Sequence, residues 1–249
     1  MASITLIPPE ALEWLVGPDR TRVLLIGASS GYASLLARSG HSVTVVDSNA
    51  GGLAALTRQV PGIHVVAGKA ESLPLDPSCF AVVLAIQNFH TFAPGLALGE
   101  WARVLSAEGR VALAYVARDD SVPWVKKLKR IVQYYLPHAM SSDYGSYSAT
   151  ALSSAIYFPR VEKRSFRLWI PSTRAQLQDN ACQTLGADEL EDSRRESMLA
   201  EIGELYDEYA RVPEPLMLPY QIQCWRAEVD QSTLTSTLIP GDDGFSISF

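Results

Sequence analysis

The stretch Val23-Leu-Leu-Ile-Gly-Ala-Ser-Ser-Gly31 decides how this chain is read. Four consecutive apolar residues ending in glycine read as a short central strand buried on both faces, because a strand with one wet face would alternate. The small residues that follow make a tight turn, and Gly31 to Arg38 then reads as a helix stopped by Gly40. Working outward, Ser42 to Val46 is a β-branched apolar run ending at Asp47, followed by a helix with Leu53 and Leu56 on one face. Two βα units in succession imply a parallel sheet.

The pattern continues. Ile63 to Ala67, Phe80 to Ile86 and Val111 to Ala117 read as a third, fourth and fifth strand, with an amphipathic helix around Leu98, Trp101 and Leu105 before the last. Right-handed crossovers then cover both faces of the sheet. Beyond it, Pro123 to Tyr135 reads as a helix with a basic face, and Ser141 to Ser148 as a polar, aromatic loop able to lie over a site. Val161 to Ile170 alternates like an edge strand, Ala175 to Ala210 carries a long charged helical pattern, and Leu216 to Val229 holds another strand. The expected fold is α/β: a doubly wound, mostly parallel, seven-stranded sheet with a helical cap inserted before the last strand. Residues 1–230 are expected to form one domain, with its core at 8–120, lid and cap at 121–212 and last strand at 216–229. Residues 231–249, rich in Ser, Thr, Gly and Asp, are expected to be a flexible tail.

Of 249 residues, 47% are hydrophobic, enough for a sizeable core. The 21 basic and 27 acidic residues leave a net charge of −6, which disfavours a nucleic acid or an anionic membrane surface as partner. Cys79, Cys182 and Cys224 are far apart and lack neighbours at metal-ligand spacing, so no metal is expected and the thiols are read as reduced core residues of a cytoplasmic protein. No apolar run approaches the ~20 residues that span a bilayer, and the N-terminus shows no export signal.

In open parallel sheets, ligands sit at the carboxyl ends of the strands near the point where strand order reverses. Gly27-Ala28-Ser29-Ser30-Gly31 occupies the first such turn, where small residues let a backbone approach a ligand; a plain tight connection is the alternative. Asp47 ends the second strand, where a carboxylate accepts hydrogen bonds from ribose hydroxyls or else caps the next helix through Ser48 and Asn49. A nicotinamide dinucleotide would require glycine where Ser29 and Tyr32 stand, so that reading loses.

Several stretches in order resemble the class I S-adenosylmethionine-dependent methyltransferases, specifically the ubiquinone/menaquinone-biosynthesis-like group called methyltransferase type 11. They are residues 23–31, Gly40-His-Ser-Val-Thr-Val-Val-Asp47, Gly68-Lys-Ala-Glu-Ser-Leu-Pro-Leu75 and Gln87-Asn-Phe-His90. Arg103-Val-Leu-Ser-Ala-Glu-Gly-Arg110, Arg118-Asp-Asp-Ser-Val-Pro-Trp124 and Leu218-Pro-Tyr220 look like motifs of a bacterial subgroup. The resemblance implies S-adenosylmethionine as cofactor, with Gly27, Ala28 and Gly31 at its methionine part and Ser29 and Ser48 also among the cofactor-binding residues. It places Asp47 at the ribose, Ala70 and Glu71 at the adenine, and Gln87 near the sulfonium.

His90 is the titratable residue of that set, either a base for the acceptor's proton or a hydrogen-bonding wall residue. Asp119 and Asp120 either meet substrate or complement the start of the Pro123 helix, and Trp124, Tyr144 and Tyr147 either wall the substrate or pack a lid. The chain departs from the family at Leu25, where an acid is usual, and at Ser29, where a second glycine is usual. The expected function is methyl transfer to a small-molecule acceptor. The alternative is a weakly active or non-catalytic relative that binds a nucleoside or serves as a partner subunit or homodimer.

Overall fold

In the computed structural model, residues 6–137, 139, 144–184, 186–211, 213 and 215–236 are described. The chain opens with α1 (Pro9–Val16), followed by β1 (Arg22–Ile26), α2 (Ser30–Arg38), β2 (Ser42–Asp47), α3 (Ala50–Gln59) and β3 (His64–Ala67). β4 (Phe80–Ile86), α4 (Pro94–Val104) and β5 (Leu105–Arg118) complete the parallel part. Next come α5 (Pro123–Tyr135), α6 (Tyr144–Ser153), β6 (Val161–Ser172), α7 (Arg174–Cys182), α8 (Asp192–Tyr209), β7 (Leu216–Glu228) and α9 (Ser232–Ser236).

Seven strands form one sheet in the order β3-β2-β1-β4-β5-β7-β6. β1 to β5 are parallel, and β7 enters antiparallel to both β5 and β6. Strand order reverses between β1 and β4, which opens a crevice at their carboxyl ends. Alternation along β1 divides the core between two faces. Leu24 and Ile26 pack with Phe89, Trp101 and Trp225 on one, while Val23 and Leu25 pack with Leu15, Leu36 and Leu84 on the other. A third apolar cluster joins Val125, Leu128 and Val132 of α5 to Leu177 of α7, Met198 and Ile202 of α8 and Leu218 of β7. This is the helical cap.

The structure differs from the sequence reading in four places. β5 begins at Leu105, directly after α4, because its first residues pair with Phe80 across a register shift. Residues 144–153 form α6, not a loop: Ser148 and Leu152 are fully buried, and that packing outweighs a sequence poor in helix formers. The pattern from Ala175 to Ala210 breaks into α7, a 3₁₀ turn at Ala187–Glu189 and α8, divided at Gly186 with φ +83°. Residues 232–236 of the expected tail are helical, and 237–249 lie outside the described residues, as do 141–143.

Candidate functional site

A cavity of about 430 Å³ lies across the carboxyl ends of β3, β2, β1 and β4, within the ~300–1,000 Å³ range of small-molecule sites. A larger one of about 580 Å³ lies by the amino end of β5, among Arg110, Arg164 and Arg226, away from the crevice. The β1 turn builds one wall of the first. Gly27 adopts φ +98°, and a Cβ there would stand 2.6 Å from Asn88 Nδ2, so both conformation and space demand glycine. Its N–H donates to the Val46 carbonyl at 2.8 Å, tying the turn to β2.

Asp47 is the hub of this wall. Its Oδ2 accepts the Ala28 N–H at 2.7 Å and its Oδ1 the Asn49 N–H at 2.8 Å. A carboxylate has about four lone-pair sites, so this pinning leaves acceptor capacity facing the cavity. The helix that follows is capped by Asn49, whose Oδ1 accepts from Gly52 N at 3.1 Å, and not by Asp47.

The loop after β3 is held by α4. The Gly68 N–H donates to the Asp47 carbonyl at 3.1 Å, and a Cβ on Gly68 would stand 2.7 Å from Pro74 Cδ. Trp101 Nε1 donates to the Ala70 carbonyl at 3.1 Å, Arg103 donates to the Leu73 and Leu75 carbonyls, and Glu100 Oε2 accepts the Leu73 N–H at 2.9 Å. Glu100 and Arg103 pair at 2.8 Å. The Arg103 hydrogen bond, with help from the Leu73 N–H, holds the Glu100 carboxyl below its ordinary 4.5, and Arg103 is raised in return. Glu71 Oε1 accepts the Ala93 N–H at 3.0 Å at the start of α4, so this side chain has a structural duty as well as a place at the cavity edge.

Gly27, Asp47, Ser48, Ala70 and Glu71 line the cavity together with Gly68, which flanks Glu71, and are joined by Lys69, Asn88, Thr91 and Phe92, which the sequence reading did not assign. Ala28 supports Asp47, Ser29 precedes α2 with φ −104°, and Gly31 lies in the first turn of α2. Ser29 therefore adopts a conformation open to any residue. Gln87 stands outside the lining at φ +64°, with Nε2 donating to the Val116 carbonyl at 2.7 Å. The signal for Asn88 was its place beside Gln87 just past the fourth strand.

His90 also lies outside that lining. Its backbone N–H donates to Tyr115 Oη at 3.0 Å and its Nδ1 stands 3.2 Å from the same oxygen, which also accepts from Ser148 Oγ at 2.9 Å. Burial lowers the imidazole below its ordinary 6.5 and raises the Tyr115 phenol. This cluster ties α6 to the turn after β4.

The remaining candidates are elsewhere. Buried Asp119 accepts from Ser121 Oγ at 2.5 Å and pairs with Arg167 at 3.2 Å, while Asp120 pairs with Lys129 at 2.7 Å. Trp124 is buried in the cap cluster, and Tyr147 is 52% exposed. Cys182 is exposed, contrary to the core role expected of it, whereas Cys79 is half-buried and burial pushes the Cys224 thiol up to about 12. Among the described residues no group of three or more His, Cys, Asp or Glu is placed to hold a metal, and no helix is long and apolar enough to cross a membrane.

Residues 24–113 match the family described as methyltransferase domain. An uncharacterized methyltransferase of Mycobacterium tuberculosis is 36% identical over 126 residues, which are 50% of this chain and 52% of that protein. The demethylmenaquinone methyltransferase of Chlorobaculum tepidum is 27% identical over 164 residues, 61% of this chain and 65% of that one. The chain thus spans about half the length of the first curated relatives it matches. A solved structure from Anaeromyxobacter dehalogenans that carries the name type II methyltransferase superposes with a TM-score of 0.61 over 90% of this chain and 97% of its own, at 24% identity.

Proposed function

We propose that this chain, whose residues 24–113 are a methyltransferase domain on a class I methyltransferase fold, transfers the methyl group of S-adenosylmethionine to a small-molecule acceptor. The observation that carries this reading is Asp47: a carboxylate fixed by two backbone N–H groups at the end of β2, with lone pairs left toward a cavity that crosses four strand ends. Two adjacent acceptors of that kind suit the two hydroxyls of a ribose. The residues fit the cofactor on both sides of Asp47. Gly27 leaves room for the Asn88 side chain beside the cavity, and the Ala70–Glu71 edge, pinned by Trp101 and the Ala93 N–H, offers a rigid seat for a flat base.

When bound, the cofactor supplies a methyl group activated by a sulfonium leaving group. The chain's part is then mostly to align and to exclude water. Ala28, Ser29 and Gly31 set the turn, Ser48 adds a polar edge, and Gln87 braces the ends of β4 and β5 through Val116. We assign His90 as the group that receives the acceptor's proton when one must leave. Burial lowers its imidazole below the ordinary 6.5, which favours the proton-accepting form, and Tyr115 Oη stands 3.2 Å from Nδ1 to orient the ring. The net charge of −6 and the mixed lining of the cavity favour a small molecule over nucleic acid, and we read the chain as one cytoplasmic domain.

One observation favours a second reading, a relative that binds nucleoside without catalysis or serves in a homodimer or as a partner subunit. Leu25, where an acid is usual in the family, is 1% exposed in an apolar cluster. Calorimetric titration with S-adenosylmethionine tests the proposal on the wild type and on Asp47→Ala. Micromolar binding lost at least tenfold in the variant is expected. Absence of binding to the wild type would overturn the enzyme reading, and methylated product from an acceptor screen would overturn the second.

A further inference from the structure

We propose that Asn88 anchors the amino-acid end of the cofactor, its Oδ1 accepting a hydrogen bond from the ammonium group. The inference rests on the reading of the crevice as an S-adenosylmethionine site. Asn88 precedes the 3₁₀ turn Phe89–Thr91, a place where asparagine ordinarily caps, yet its side chain makes no capping bond there. It crosses instead to β1, where Nδ2 donates to the Ile26 carbonyl at 2.7 Å. That bond fixes which way the carboxamide points, since the opposite orientation would set oxygen against oxygen.

Oδ1 is left buried with no hydrogen-bond partner, on a residue that lines the cavity. A buried acceptor without a donor is an uncompensated loss, and a ligand that brings a donor removes it. Gly27 makes the arrangement possible, because any Cβ at that position would stand 2.6 Å from Nδ2.

Position along the crevice selects the ligand group. The strands run in the order β3, β2, β1, β4, so Asp47 at the end of β2 and Asn88 past β4 stand on opposite sides of the β1 turn at Gly27. A ligand with its ribose at Asp47 and its base beside Glu71 extends its remaining part past Gly27 to Asn88. In S-adenosylmethionine that part carries the ammonium, the strongest donor of the molecule. Leu25 is 1% exposed and apolar, so the neighbouring strand supplies no acceptor of its own from that position.

The test compares S-adenosylhomocysteine with methylthioadenosine, which keeps the base, ribose and sulfur but lacks the amino-acid end. Titration calorimetry on Asn88→Ala should show about a tenfold to hundredfold loss for S-adenosylhomocysteine, as for removal of a hydrogen bond to a charged group, and less than about twofold for methylthioadenosine. Equal losses for both ligands would show that Asn88 only props the β1 turn, and no loss for S-adenosylhomocysteine would exclude the contact; either overturns the inference. If the wild type binds both ligands equally well, this inference fails while the cofactor reading stands. If it binds neither, the cofactor reading itself fails. Should Asn88→Ala melt early, Asn88→Ser preserves a small polar side chain and the same ligand comparison decides.

Discussion

Gly27 occupies a backbone conformation that side chains resist, and it does so against the Asn88 side chain. A left-handed conformation costs an L-residue about 1–2 kcal/mol. Gly27→Ala is therefore expected to lower unfolding stability by about that amount in urea and to weaken S-adenosylhomocysteine binding as Asn88 is displaced. Unchanged values of both would contradict the described turn. At this scale the sequence was partly legible. A glycine after an apolar run and an aspartate after the next are local signals, and they lead to Gly27 and Asp47 directly. Asn88 was legible only as the neighbour of Gln87 past the fourth strand; its bond to the Ile26 carbonyl, 62 residues away, exists only once the sheet has folded.

At the scale of elements, α4 acts as a clamp on the loop after β3 through Trp101, Glu100 and Arg103. Glu100 has a carboxyl depressed by Arg103, so it contributes stability above its unfolded value near 4.5, and that contribution is lost as pH falls through the lower folded value. The melting-temperature gap between wild type and Glu100→Gln should be widest at neutral pH and close below about pH 4.5. A gap independent of pH would deny the ion pair its role.

Element limits were legible where chemistry is local. β4 at Phe80–Ile86 and α5 at Pro123–Tyr135 match the sequence reading at both ends, the first as an uninterrupted apolar run and the second because proline opens helices. The start of β5 and the helicity of α6 were hidden, since Leu105 and Ser148 owe their conformations to partners on other elements.

For the whole molecule, three apolar clusters divide the labour: two sandwich the sheet, and the third belongs to α5, α7 and α8. Ile202, fully buried in the third, gives a direct probe of the cap. Ile202→Ala should cost about 2–5 kcal/mol locally, read as faster amide exchange in α7 and α8, with exchange in β1 and β4 little changed. Equal acceleration in both regions would mean that cap and sheet open as one unit.

The placement of β7 between β5 and β6 also governs how the chain is made. Among the described residues β6 pairs with β7 alone, and β7 starts at Leu216, after α7 and α8. On a ribosome working at about 5–20 residues per second, β6 therefore emerges and waits on the order of seconds for its neighbour. During that interval β5 and β6 each present an open edge, and the last strand must thread between two segments already synthesised. Translation that stalls ahead of Leu216 leaves a nascent chain with two sticky margins, a substrate for chaperones and not a smaller version of the protein.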